Sequence, residues 1–64
     1  MLDADMVGRI RQAFGVSIPR MAEIAGVSQR SWYRYETGEA SVPRPLEILL
    51  TVLVKYELVR KDFL

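Results

Sequence analysis

Residues 17–38 read SIPRMAEIAGVSQRSWYRYETG, and the spacing inside this string restricts the fold more than any other feature of the chain. Ala22 stands four residues before Gly26. Val27 and Ser28 follow at once, Trp32 stands five residues after Val27, and Glu36 and Gly38 close the pattern. A small residue at 22 lets a helix approach a neighbour closely. Glycine at 26 permits the left-handed backbone that a tight break between helices needs. Val27 is an apolar plug for the turn, and Ser28 can cap the helix that follows. Trp32 then points inward while its neighbours on the next helix face out. The string predicts two helices joined by a short turn, with the second held away from the body: a helix-turn-helix over about 17–37.

The rest of the chain reads as further helices. Leu2, Met6, Ile10, Ala13 and Phe14 recur at steps of three and four, one stripe of an amphipathic helix over about 5–14. Asp3 or Asp5 can cap its start, and Gly15 can stop it. Ser17 caps a second helix that has Pro19 in its first turn and ends near Ala25. Gln29 to Thr37 is the third helix, with Gly38 as its stop. After the loop 38–43, Pro45 opens a fourth, whose stripe is Leu46, Leu49, Leu50, Leu53 and Val54 and which ends near Tyr56 or Leu58. The tail, Val59 to Leu64, is either a short fifth helix or a loose end. Strand signals are poor, since β-branched residues are scattered and no hairpin dipeptide occurs. The expected fold is all-α, a compact bundle of four to five helices in one domain over 1–64.

Composition narrows the chemistry. The chain has 64 residues, no cysteine and no histidine. Disulfides, thiolate or imidazole metal sites, cysteine nucleophiles and Ser-His pairs are therefore excluded. No acid pair or phosphate-cradling glycine loop stands out, so neither an enzyme nor a cofactor or small-molecule ligand is expected. The start, Met1-Leu2-Asp3-Ala4-Asp5, lacks a basic segment followed by an apolar one, and the run Ile48–Val54 is too short to span a bilayer. The cytoplasm, with no membrane association, is the expected location. A domain this short buries only about 60% of its unfolded surface, so oligomerisation would help it.

Nine basic and eight acidic residues leave a net charge of +1. Segregation of charge matters more than the total. Between Gly26 and Tyr35 there are two arginines, Arg30 and Arg34, and no acid. They lie four apart and share a helix face, with Gln29 and Tyr33 on the adjoining strip. The arginine fork matches guanine O6 and N7, and the glutamine amide matches adenine N6 and N7. These four residues are the expected base readers in a DNA major groove. Tyr33 would either touch a thymine methyl or a sugar, or simply cover the helix. Ser28, Ser41, Arg44 and the backbone near Gly38 would contact phosphates and set the register. Trp32 and Tyr35, three apart on the opposite side, would anchor the helix in the core. The competing interpretation of the arginines is a solvated helix face.

From Val7 to about Val54 the chain resembles the phage repressor and Cro group, the helix-turn-helix proteins of the xenobiotic-response-element type. The likeness rests on Met21-Ala22, Gly26-Val27-Ser28, Trp32, Glu36 and Gly38. It implies a helical bundle that binds operator DNA as a dimer and represses transcription. The third helix would be the recognition helix, with Gln29, Arg30 and Arg34 at base-reading positions and Ser28 on a phosphate. Arg11 and Glu36 match an ion pair that ties the first helix to the end of the third. Two positions depart: Ile18 stands where the family often has a phosphate-touching glutamine, and Ile24 where it usually has a polar residue. More narrowly, Ser31-Trp32, Glu36-x-Gly38 and Val42-Pro43 resemble small dimeric regulators encoded beside anti-CRISPR genes in phages, which repress their own operon.

The expected partner is double-stranded DNA carrying a palindromic operator, bound by a homodimer. The dimer surface is expected in the C-terminal part, 46–64, at Leu58, Val59, Phe63 and Leu64, more apolar material than a four-helix core needs. The alternative use of the same fold is a protein-interaction module, antitoxin- or adaptor-like, without specific DNA binding. The low net charge, Ile18, Ile24 and the apolar tail favour that alternative.

Overall fold

The structure, a computed structural model, describes residues 2–63, with side chains described over residues 2–56. Four helices follow in chain order: α1 Ala4–Phe14, α2 Ile18–Ala25, α3 Gln29–Thr37 and α4 Arg44–Phe63. There are no strands among the described residues, and the all-α expectation holds.

Local chemistry sets the boundaries. Asp3 caps α1, its carboxylate accepting from the Met6 N–H at 2.9 Å. Ser17 caps α2 through the Arg20 N–H, and Pro19 lies in the first turn, where a missing N–H costs nothing. Ser28 caps α3 through the Ser31 N–H at 3.0 Å. The break between α2 and α3 is the tightest. Gly26 has φ +73°, and the Val27 N–H reaches back to the Ala22 carbonyl at 3.0 Å. This back-bonded ending satisfies the last carbonyls of α2 and leaves Ser28 placed to start α3. A Cβ at Gly26 would meet no atom within 4 Å, so backbone conformation rather than space requires glycine there.

The core is Val7 and Ile10 from α1, Met21, Ala22 and Ala25 from α2, Trp32 from α3, and Leu46 and Leu50 from α4. Leu2, Phe14, Val16, Ile18, Val27, Tyr35, Val42 and Val54 close over it. α3 packs on α2 and α1, and α4 packs on α2.

Three expectations change. The apolar stripe of α1 is rotated: Val7, left out of the expected stripe, is fully buried, whereas Met6 is 45% exposed and Ala13 faces out. Val7 and Ile10 are covered by the other helices. Met6 and Ala13 instead line an apolar groove beside α4, where two adjoining hollows of about 250 and 200 Å³ share Met6, Ile10 and Val54. In α4, Leu46 and Leu50 are buried but Leu49 is exposed. The C-terminal segment forms no separate fifth helix. α4 runs unbroken to Phe63 because residues 46–63 contain no glycine or proline to stop it. At about 1.5 Å rise per residue, its 20 residues span about 30 Å of a molecule whose longest extent is 36 Å.

An internal tie fastens the segment before α1 to α4. Glu47, 8% exposed, accepts the Leu2 N–H at 3.0 Å and pairs with Arg44 at 2.5 Å. The Leu2 N–H, with Arg44, holds the Glu47 carboxyl below the ordinary carboxylate value of 4.5, against a smaller opposing effect of desolvation. The folded-state pKa is depressed, so the stabilisation is present above that ordinary value and is lost as pH falls through the folded-state one. Thermal melts over an acid series should show wild type losing stability below the ordinary carboxylate range. Glu47→Gln should be less stable near neutrality and should lose less on acidification. Parallel curves for the two proteins would refute the tie.

Candidate nucleic-acid interface

Helix α3 is anchored from behind and open in front. Behind it, Trp32 is fully buried and meets Tyr35 edge-on, with ring centroids 6.5 Å apart and planes at 77°. Its indole N–H donates to Oε2 of Glu36. The same carboxylate takes Arg11 in a two-point pair, Nε to Oε2 at 2.6 Å and Nη2 to Oε1 at 3.2 Å. A third Arg11 donor, Nη1, reaches the Val16 carbonyl at 3.1 Å. One arginine therefore joins α1, the α1–α2 connection and the last turn of α3. The hydrogen bond to Glu36 raises the Arg11 pKa further, with the Coulomb attraction adding to it and burial opposing it. The two side chains are only 23% and 14% exposed, so solvent screens this pair less than an open surface pair.

In front, the turn of about 100° per residue places Arg30 and Arg34 on the side away from Trp32, with Tyr33 and Gln29 along one flank, and all four are exposed. Tyr33 is 53% exposed, an aromatic left on the surface between two arginines. Among the described residues, no ion pair holds Arg30. Arg34 has one, its Nε lying 3.7 Å from Oε2 of Glu39. The strip is polar, fork-bearing and free of neighbouring helices, so it can enter a groove without the fold rearranging.

The residues assigned to phosphates are less alike. Ser28 is engaged as the α3 cap, and its hydroxyl donates to the Ser31 hydroxyl at 2.9 Å. Ser41 is exposed in the loop before α4. The Arg44 side chain is 76% exposed and leans on Glu47. Of the departures, Ile18 is half-buried against the core, and Ile24 is 36% exposed on α2.

Two features escaped sequence reasoning. Glu39 was one; the signal was the glycine before it, since a left-handed Gly38 (φ +83°) returns the next residue toward the last helical turn. The other is a solvent-facing apolar strip on α4: Ile48, Leu49, Val52 and Tyr56 are 51%, 41%, 56% and 63% exposed. Leu49 belongs to the expected stripe, and its exposure beside Ile48, Val52 and Tyr56 is set by packing. The side chains of Leu58, Val59, Phe63 and Leu64, the residues expected to form the dimer surface, lie outside the described residues. Among the described residues no helix is long and apolar enough to cross a membrane, and no group of acidic side chains could hold a metal ion.

Comparison with known proteins agrees with the geometry. A helix-turn-helix domain family matches residues 4–57. A protein of Methanocaldococcus jannaschii, named for HTH-type transcriptional regulation, is 40% identical over 40 residues, which are 62% of this chain and 13% of that protein. A similarly named protein of Pyrococcus furiosus is 34% identical over 59 residues, 92% of this chain and 19% of that protein. The chain thus spans less than a fifth of the length of either relative. No solved structure gives a significant match. With 54 consecutive residues inside the matched region, and the turn at Gly26 built as the motif requires, the chain belongs to the helix-turn-helix domain family.

Proposed function

We propose that this domain binds DNA sequence-specifically as part of transcription regulation, acting as a homodimeric repressor on a palindromic operator. The observation that carries the reading is the α3 strip: Gln29, Arg30, Tyr33 and Arg34 are exposed together on a helix fixed from behind by Trp32 and the Arg11–Glu36 pair. Arginine and glutamine on such a rigid helix offer the two bidentate pairings that distinguish guanine and adenine in the major groove. Ser28, Ser41 and Arg44 flank the strip in sequence and would fix its register on phosphates. The names of the two archaeal relatives support a regulatory role. The resemblance to phage repressors supports repression, in a phage or mobile-element operon that includes its own gene.

Dimerisation follows from the size of the reading surface. One helix contacts too little DNA for high specificity, and a symmetric pair reads two half-sites about 34 Å apart. The exposed apolar strip of α4 supports a second copy as its cover, because isolated surface leucines are ordinary but a continuous strip is not. The test is selection from a pool of randomised duplexes at two salt concentrations, with the retained DNA sequenced. An inverted repeat with half-sites about one helical turn apart is the expected result.

The same α4 strip, with a net charge of only +1, favours a second reading as a protein-interaction module. Salt separates the two. Affinity for DNA falls steeply as salt is added, whereas an apolar interface is nearly insensitive to it. Recovery of no sequence at either salt concentration would replace the first reading with the second.

A further inference from the structure

Arg30 and Arg34 stand one helical turn apart on the same face, yet their surroundings differ. Arg30 projects without an ionic partner among the described residues, while Arg34 is held by Glu39 at 3.7 Å. The backbone brings this contact about. Gly38 turns the chain in the left-handed region, the Ala40 N–H donates to the Arg34 carbonyl at 3.3 Å, and the Thr37 hydroxyl donates to that carbonyl at 3.2 Å. Glu39 is thereby tethered beside the very residue it pairs with. Its closest approach is to Nε, on the flank of the guanidinium. The two terminal Nη groups at the end of the fork are the pair that meets guanine O6 and N7 end-on.

We infer that Glu39 is a specificity-determining positioning residue, holding Arg34 by its flank so that the end of its fork meets a base. The inference rests on the proposed reading of α3. Two physical effects act together. In the free protein the side chains are 46% and 60% exposed, and a pair so open is weak. When a groove closes over it, the local dielectric falls and the same geometry holds more firmly. The Glu39 carboxylate also repels phosphates, so it discourages Arg34 from the sequence-neutral backbone contact that would compete with base reading. Arg30 has neither constraint. The two arginines therefore divide the work: Arg34 reads with its orientation fixed, and Arg30 adapts.

The experiment is the randomised-duplex selection carried out with wild type, Arg34→Ala, Glu39→Gln and Glu39→Asp, together with titration of one scrambled duplex at several salt concentrations. Arg34→Ala should erase preference for one guanine per half-site. Glu39→Gln should weaken preference in that same column, by up to about five-fold, and leave the other columns unchanged. It should also bind the scrambled duplex more tightly, with a salt slope steeper by about one. Glu39→Asp, which keeps the charge, should preserve part of the preference. A purely structural role would weaken every column together and lower helix content, and that result would overturn the inference. So would a Glu39→Gln profile identical to wild type while Arg34→Ala loses its guanine, which would leave the reading of α3 standing. If wild type itself recovers no sequence, the reading of α3 fails and the role of Glu39 fails with it.

Discussion

Trp32→Ala is expected to leave this domain largely unfolded near room temperature. Trp32 is the largest fully buried side chain, and it joins α3 to the rest of the core. Truncating a buried tryptophan costs about 3–5 kcal/mol, part transfer energy and part residual cavity. Here the loss is greater than its apolar area suggests, because the indole N–H also serves Glu36. A 64-residue chain has stability toward the lower end of the usual range of about 5–15 kcal/mol. Each kcal/mol moves the midpoint of a domain this size by about 4–8 °C. A far-UV circular dichroism melt should therefore show the midpoint falling by tens of degrees. Trp32→Phe keeps one aromatic ring while removing the donor and the smaller ring of the indole, and its loss should be clearly smaller than that of Trp32→Ala. A midpoint for Trp32→Ala within a few degrees of wild type would show that the core does not depend on this anchor.

The second large effect concerns DNA. With the selected duplex as probe, Arg30→Ala should weaken binding at least about five-fold per half-site, since a bidentate arginine–guanine contact is worth about 1–3 kcal/mol. If two copies bind a symmetric site, the change enters twice and the loss is about the square of that for one half-site. Helix content and thermal midpoint should stay at wild-type values, because Arg30 is exposed and no ion pair holds it among the described residues. Unchanged affinity in a folded Arg30→Ala protein would mean that α3 is not the reading helix.

The legible parts of this molecule are those governed by short-range chemistry. Caps at Ser17 and Ser28 act through hydrogen bonds to the N–H three residues on, and the stops at Gly15, Gly26 and Gly38 depend on one residue's own φ. Both are readable from a few letters, so α2 and α3 fall where their residues place them. The outward position of Arg30 and Arg34 follows in the same way, since a helix carrying one buried tryptophan has its opposite face defined.

Tertiary structure decided whatever depends on which helix covers which face. Periodicity announced an apolar stripe on α1, but packing chose Val7 over Met6 and left Met6 on an open groove. It also left one side of α4 uncovered from Ile48 to Tyr56. Leu2 and Glu47, 45 residues apart, meet only because α1 and α4 are brought together, and Arg11 meets Glu36 across 25. Even Glu39 beside Arg34, five positions away, needed the actual turn at Gly38 to set its direction. The amino-acid sequence by itself determined the helices, their ends and the face that α3 presents, because each is fixed by bonds within one or two turns. The partners of those faces are set by competition among all apolar surfaces for a small core, and a linear pattern does not record which of them wins.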